Sequence, residues 1–338
     1  QCIKWYSRLM EHPDGQQSET EGYLKIAEYN ARSASQSGQL DALRSAFNSA
    51  PESLNILDQM IDLRESMADY EEMVLLLRER IELADDAERA GYVDRLAQLQ
   101  SNVLDRPHDA IGTLEDFDAD LYAQANLRDL YELLLSEQSQ WESLATFYET
   151  RLTDVDDERD RTHLAYKVAS LYALELERDE LAVEHLASIL QTEHVSDESL
   201  HLLSELIGRP EAGVSAFREL DGHYTSIGEN ERRIEIMYQV LKHLDDDDDR
   251  LSHFQTLSDL LVDRDGPSEA SFQALAQAFL LDSNDVSRLE QLTEWSEKLS
   301  LESALIDTLE AALLTDVERD WRIEYVKRLA RLCQGKEE

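Results

Sequence analysis

The sequence predicts an all-α fold, an α-solenoid in which helical hairpins follow one another along the chain. From Ser139 to Leu190, apolar residues recur at steps of three and four, the spacing that places side chains on one face of a helix. A motif built around a small residue recurs at long, similar intervals. No strand-like alternation of apolar and polar residues interrupts the helical pattern.

Three consecutive amphipathic helices are predicted within this stretch. Their apolar faces consist of Trp141, Leu144, Phe147, Tyr148 and Leu152 in the first, Leu164, Val168, Leu171 and Tyr172 in the second, and Leu181, Val183, Leu186, Ile189 and Leu190 in the third. The segments 153–158 and 177–179 are polar and supply oxygens that cap the following helix. Residues 49–52 fit a capping box with Pro51 in the first helical turn.

The recurring motif consists of an apolar residue, a small residue, a variable residue and a second apolar residue. Its small residues are Ala27, Ala97, Ala169, Ser258 and Ala330, at intervals of 70, 72, 89 and 72 residues. A small side chain at a fixed helical position lets a neighbouring helix approach closely. The longest interval predicts an inserted short helix over residues 198–207. Beyond it the register resumes at a constant offset of 90, and Tyr148 matches Tyr238.

Each interval near seventy residues holds two hairpins, so that one hairpin takes about 35 residues, close to the period of tetratricopeptide repeats. Residues 268–285 resemble the second helix and exit turn of such a repeat, and residues 2–14 resemble the same element. The family's Trp-x-x-Leu-Gly-x-x-Tyr spacing is not intact anywhere, so the chain resembles a divergent member. The resemblance implies a right-handed superhelix of hairpins, which we expect to form a single array over residues 1–338.

The first residues and the two cysteines lead to expectations about the parent protein and its compartment. Gln1 lies inside an amphipathic segment without a preceding Met or targeting sequence, so we expect a fragment of a longer protein. Cys2 and Cys333 are far apart in a linear array and are expected to be free, partly buried thiols, which favours a reducing, cytoplasmic compartment. No apolar run approaches the roughly 20 residues of a membrane span.

The chain is strongly acidic, with 73 acidic and 32 basic residues and a formal net charge of −41. Such a surface repels nucleic acid and anionic membranes, because both bind through positive charge. Two interpretations stay open. The charge forms an acidic groove that attracts a basic partner, or it is a solvated, salt-tolerant surface of the kind found in marine or halophilic sources.

No residue pattern announces a catalytic, cofactor or metal site. The acidic run 245–249 and the segment 263–266 lack the ligand spacing of a calcium loop, so both are interpreted as turns that cap helices. The nine histidines lack zinc-like spacing; they are His12, His108, His163, His185, His194, His201, His223, His243 and His253. His185 and His194 lie in or beside a helix that bears acids and are interpreted as ordinary surface histidines. Gly-rich phosphate loops and nucleophile turns are absent from the sequence. We therefore assign no catalytic, cofactor-binding or metal-binding residue and expect no cofactor.

The expected function is a non-catalytic scaffold that binds a protein or peptide along a concave helical surface. Aromatic residues at helical spacing are interpreted as core between helices; they are Trp141, Phe147, Tyr148, Tyr172, Trp295 and Trp321. Lys25, Lys167 and Lys327 lie beside the small-residue motif and do not form the spaced set with which tetratricopeptide domains hold a terminal carboxylate. The partner should thus be neutral or basic, and the residues that bind it stay unassigned. The alternatives are a structural spacer or regulatory arm of a catalytic parent chain, and an all-helical enzyme with a site between hairpins.

Overall fold

A computed structural model describes residues 19–315 and 317–334, and within these ranges the chain forms helices joined by turns, without a β-strand. This confirms the all-α hairpin array; the handedness of its superhelix stays a prediction. The repeat-like segment 2–14, with Cys2 and His12, lies outside the described residues.

The helices belong to two compact units, residues 1–144 and 145–338, and the boundary falls within α9 (Trp141–Asp154). The first unit contains α1 (Glu19–Arg32), α2 (Gln36–Ser49), α3 (Leu54–Ser66), α4 (Tyr70–Leu83), α5 (Asp86–Gln98), α6 (Pro107–Asp116), α7 (Asp118–Ala123) and α8 (Ala125–Glu137). The second unit contains α10 (Glu158–Leu174), α11 (Asp179–Leu190), α12 (Asp197–Ile207), α13 (Gly213–Ile227), α14 (Asn230–Val240), α15 (Asp247–Asp265), α16 (Glu269–Leu281), α17 (Val286–Leu299), α18 (Glu302–Ala312) and α19 (Arg319–Gln334). A π-helical turn, Leu99–Val103, extends α5, and α12 lies where the sequence predicts the inserted helix.

The small residue of the recurring motif lies where one helix meets the next. Ala27, Ala97, Ala169 and Ser258 are buried, on α1, α5, α10 and α15 respectively. The Ser258 hydroxyl donates to the main-chain carbonyl of Ser271 on α16 at 3.0 Å, a distance that a larger side chain would prevent. Ala330 on α19 departs from this pattern and is exposed.

Side-chain bridges support a hairpin of about 35 residues, because they join residues roughly one repeat apart. In the first unit the bridges are Arg106 to Glu71 at 2.6 Å, Arg95 to Glu65 at 2.8 Å and Arg89 to Asp120 at 2.6 Å, with separations of 35, 30 and 31 residues. In the second unit Arg209 pairs with Asp179, and Arg328 donates to the Thr293 hydroxyl at 2.9 Å, with separations of 30 and 35.

The acidic run at residues 245–249 caps a helix, as predicted. Asp246 is the N-cap of α15, and its carboxylate accepts hydrogen bonds from the main-chain N–H groups of Asp248 and Asp249, both at 3.0 Å. Gly266 ends the same helix with φ of +77°, and Ser268 caps α16. The prediction for residues 49–52 is wrong, because Pro51 lies in a turn and Ser53 is the N-cap of α3.

The aromatic residues lie in the core, which confirms their interpretation. Phe147, Tyr148, Tyr172 and Trp295 are buried, and Trp141 and Trp321 are half-buried. The last helices of the second unit enclose a cluster that includes Phe272, Phe279, Leu289, Trp295 and Tyr325. The Tyr325 hydroxyl donates to the main-chain carbonyl of Ser283, and burial raises the pKa of Tyr325 to about 12. Among the residues that the structure describes, no helix combines the length and the apolar character that crossing a bilayer requires.

Candidate functional site

Three adjoining cavities on the second unit form one open groove along α10, α12 and α14, which we name the α12 groove. Their volumes are about 640, 360 and 760 Å³ from the α10 end to the α14 end. Tyr166 and Glu198 line both the first and the middle cavity. Asp197, His201 and Glu205 line both the middle and the last cavity. The shared residues make the groove continuous.

The middle of the α12 groove is acidic and partly apolar. Its lining consists of Tyr166, Leu174, Asp197, Glu198, His201, Leu202 and Glu205, with three carboxylates and no lysine or arginine. Leu174 is 59% exposed, although leucine is usually buried in a folded chain. Carboxylates therefore lie beside accessible apolar surface.

The first turn of α12 explains why the carboxylates are there. Ser196 caps the helix, and its side chain accepts a hydrogen bond from the main-chain N–H of Ser199 at 3.2 Å. Acidic residues are favoured beside the positive end of the helix dipole. Hydrogen bonds from its own main-chain N–H and from the Ser196 hydroxyl lower the pKa of Glu198, which favours its charged form.

The helical period brings the remaining carboxylates into line. Asp197, His201 and Glu205 are four residues apart and share one face of α12. The Nδ1 atom of His201 lies 3.6 Å from an Oε1 oxygen of Glu205, and both side chains are mostly exposed. The carboxylates of α12 therefore form an acidic row along the groove.

Cations lie only towards the ends of the groove. Arg159 lines the cavity at the α10 end, and Arg232 and Lys242 line the cavity at the α14 end. The Arg232 guanidinium lies 5.7 Å from the centre of the Tyr224 ring. Carboxylates also line both ends, Glu193 at the α10 end and Glu235 at the α14 end, so the ends carry charges of both signs whereas the middle carries carboxylates alone.

Tyr238 supplies apolar surface in the last cavity. Its side chain is 50% exposed, whereas Tyr148, which matches it at the offset of 90 residues, is buried. Burial is the same at a neighbouring pair of matched positions, since Leu144 and Ile234 are both buried. It differs between Tyr148 and Tyr238. The exposed ring faces the groove.

The histidines do not gather into a site within the described residues. His194 is exposed, as predicted, whereas His185 is half-buried and lies 3.6 Å from Glu149. His108, His163 and His201 are also exposed, and His253 is buried and bonded to the main chain. In the described part of the chain no group of three or more histidine, cysteine, aspartate or glutamate side chains is placed to hold a metal ion. Cys333 is free and exposed, which corrects the expectation of a partly buried thiol.

The lysines beside the small-residue motif lie on three different helices. Lys25 on α1 pairs with Glu28 at 3.5 Å, and the Nζ atom of Lys167 on α10 lies 5.1 Å from the centre of the Tyr148 ring. Lys327 on α19 is exposed. This placement agrees with the interpretation that they do not form a carboxylate-binding set.

No protein-family model and no curated protein matches the sequence. Solved structures similar to the chain include the complex "Naa15/Naa10 bound to HypK-THB", at 13% identity and a TM-score of 0.39, over 98% of this chain and 55% of that one. The P58(IPK) TPR domain is 13% identical, with a TM-score of 0.23 over 94% of this chain and 99% of that one. The complex of the yeast Sti1 TPR2AB domain with pHSP90 is 11% identical, with a TM-score of 0.28 over 93% and 97%.

The chain spans about 55% of the length of the first of these structures. Two of these structures are named as TPR, or tetratricopeptide-repeat, domains. At these TM-scores the likeness carries no argument about activity or partner.

Proposed function

We propose that this chain is a non-catalytic protein-interaction scaffold whose α12 groove docks a peptide or protein segment that bears both basic and apolar side chains. The observation that supports it most strongly is the middle of the groove. Three carboxylates lie there with an exposed leucine, and no lysine or arginine lines this middle cavity.

The two kinds of surface have separate roles in docking. The carboxylates of Asp197, Glu198 and Glu205 attract lysine or arginine side chains, by roughly 1 kcal/mol for a pair 4 Å apart in water and more where water is excluded. Apolar contact with Leu174 and Tyr238 adds about 25 cal/mol for each Å² removed from water. Arg159, Arg232 and Lys242 offset the carboxylates at the two ends, so the basic residues of the segment are favoured in the middle of the groove.

The net charge of the chain favours a protein partner over nucleic acid or an anionic membrane. A formal charge of −41 opposes binding to nucleic acid and to anionic membranes. It also speeds the encounter with a basic protein, an effect that salt weakens. We therefore propose a protein partner, from another polypeptide or from the remainder of a longer parent chain.

Panning a random peptide library against the whole chain, at low and high salt, tests the proposal. We expect enrichment, at low salt, of peptides in which lysine or arginine residues flank apolar ones. The triple substitution Asp197→Asn, Glu198→Gln, Glu205→Gln should weaken their binding about tenfold or more.

A matched control changes charge by the same amount outside the groove. Glu290, Asp307 and Glu310 are exposed on α17 and α18, and their neutralisation to Gln, Asn and Gln should leave binding within about twofold. Equal losses in the two triple variants would contradict docking in the groove and indicate a general charge effect. Failure to enrich any peptide would favour the alternative role of a structural spacer.

The enzyme alternative is not favoured by a specific observation. Apart from tyrosines, the buried ionisable side chains of the described residues do not converge on one cavity; they are Arg64 on α3, Arg80 on α4, Asp120 on α7 and His253 on α15. Each has a hydrogen-bond partner within the fold.

A further inference from the structure

Most of the exposed histidines of the described chain line the α12 groove. Four histidine side chains are exposed among the described residues; they are His108, His163, His194 and His201. His163 and His194 line the cavity at the α10 end, and His201 lines the middle cavity and the cavity at the α14 end. Only His108 lies elsewhere, on α6 of the first unit. The groove therefore concentrates the type of side chain that ordinarily gains a proton between pH 8 and 5.

His201 lies within the acidic row of α12. About one helical turn separates it from Asp197 on one side and from Glu205 on the other. Its Nδ1 atom lies 3.6 Å from an Oε1 oxygen of Glu205. Once the ring is protonated, this contact becomes an ion pair that places a positive charge in the row. Protonated His201 would therefore compete with a lysine or arginine of the docked segment for the Glu205 carboxylate.

The two histidines at the α10 end lie among acids as well. His163 is on α10, and His194 is in the segment between α11 and α12. Both line the same cavity as Glu193 and Glu198. Side chains that can gain a proton below neutral pH therefore line all three cavities of the groove.

Protonation of these histidines reverses the formal charge of the groove. Five carboxylates and three lysine or arginine side chains line it, which gives −2 while the histidines are neutral and +1 when all three are protonated. The charged residues are Glu193, Asp197, Glu198, Glu205, Glu235, Arg159, Arg232 and Lys242, and the tyrosines beside them are Tyr166, Tyr224 and Tyr238.

The reversal is local to the groove and specific to histidine. Aspartate and glutamate ordinarily titrate at about pH 4 and tyrosine at about pH 10, so between pH 7.5 and 5.5 histidine dominates the change in charge. The whole chain has a formal charge of −41 and nine histidines, so it stays at −32 even when all nine are protonated. A basic segment would therefore lose its attraction to the groove while the chain as a whole stays acidic.

We propose that protonation of His163, His194 and His201 weakens docking, so that the α12 groove binds a basic segment at neutral pH and releases it in mild acid. This inference rests on the docking function proposed above and adds its regulation. The coupling is reciprocal, because a bound lysine or arginine disfavours a proton on a neighbouring histidine. Binding near pH 6.5 should therefore release protons.

The probe is a capped, rhodamine-labelled peptide of sequence Lys-Lys-Leu-Leu-Lys-Lys, in which lysines flank apolar residues. Fluorescence anisotropy measures its affinity for the whole chain at pH 7.5 and pH 5.5, at one low ionic strength. We expect binding about tenfold or more weaker at pH 5.5. Titration calorimetry at pH 6.5, in two buffers that differ in ionisation enthalpy, should detect the released protons. Circular dichroism at both pH values verifies that the chain stays folded.

Histidine variants identify the source of the pH effect. The triple substitution His163→Gln, His194→Gln, His201→Gln should reduce the effect to about twofold and abolish proton release. His108→Gln changes the exposed histidine outside the groove and should retain the full effect. His201→Lys makes the positive charge permanent and should weaken binding at pH 7.5 by about threefold. These side chains are exposed, so the unfolding midpoints at pH 7.5 should match that of the unmodified chain.

Failure of pH control and failure of docking give different results. Equal or stronger binding at pH 5.5, or a pH effect that the triple glutamine variant retains, would overturn pH control and leave docking intact. Absence of binding at pH 7.5, or binding there that neutralisation of Asp197, Glu198 and Glu205 does not weaken, would contradict docking in the groove and pH control with it.

Discussion

His253 on α15 is enclosed by the second unit, and its ring Nε2 donates a hydrogen bond to the main-chain carbonyl of Met237 on α14 at 2.9 Å. The Phe217 and Phe254 rings lie 5.4 and 6.2 Å from it, centre to centre. Burial lowers the pKa of His253 from its ordinary value of 6.5, and the bond to Met237 and the charge of Asp221 oppose this only in part. The folded chain therefore resists protonation at this ring.

This resistance predicts a loss of stability in acid. Since the pKa is lower in the folded chain, the unfolded chain binds more protons below neutral pH, and the free energy of unfolding falls as the pH drops from about 7 towards 5. In His253→Gln that fall should be smaller, although the variant is less stable at pH 7 by about 1–3 kcal/mol. Urea unfolding at both pH values measures the difference.

The control for this prediction is His201→Gln, which changes an exposed histidine. Its pH dependence should match that of the unmodified chain. Burial also lowers the pKa of His223. Part of the pH dependence of stability should therefore remain in both variants. If the fall in stability is the same in His253→Gln as in the unmodified chain, burial of His253 is not the source of the pH dependence.

The small residue of the motif allows a second comparison between single residues. Ala169 is fully buried, whereas Ala330 occupies the same motif position and is exposed. Ala169→Leu should destabilise the chain by about 1–3 kcal/mol, because a larger side chain overpacks a filled interface. Ala330→Leu should change stability by no more than about 0.5 kcal/mol. Denaturant unfolding of the two variants measures this, and equal effects would contradict the packing role of the motif.

At the scale of the element, the run of five aspartates before α15 has one member with a specific task. Asp246 accepts two main-chain hydrogen bonds at the helix N-terminus, whereas neighbouring Asp245 has no such role. Asp246→Ala should therefore cost about 1 kcal/mol of stability. Asp245→Ala should be within about 0.5 kcal/mol of the unmodified chain. If thermal unfolding shows equal effects, charge repulsion within the run, and not capping, governs the stability of this turn.

The sequence predicts the elements well where one physical rule acts alone. Periodicity locates the helices of residues 141–190, and the small-residue spacing identifies where Ala97 and Ala169 pack. Prediction from the sequence fails where contacts with neighbouring helices determine which residue caps a helix or which side chain is buried. Pro51 fits a helix start, yet Ser53 takes the cap, and Tyr148 and Tyr238 share a register but differ in burial. A one-dimensional repeat cannot show which helix covers a given face.

At the scale of the whole molecule, the sequence shows an excess of acidic residues but not where carboxylates converge. The α12 groove is lined by residues from Arg159 to Lys242, which only the packing of α10, α12 and α14 brings together. Carboxylates line all three of its cavities, whereas the lysine and arginine side chains line only the two end cavities, a pattern that the total of −41 does not show. A single array over residues 1–338 stays a prediction, whereas the described helices form two compact units.

Amide hydrogen exchange of the whole chain, with and without a basic, apolar peptide obtained by panning, tests the docking claim most directly. Docking in the α12 groove should slow exchange in α10, α12 and α14 upon binding, with little change in α17 and α18. The effect should weaken at high salt, because the carboxylates of the groove are exposed. Protection that lies outside the α12 groove, or that is unchanged in the triple variant of Asp197, Glu198 and Glu205, would contradict it.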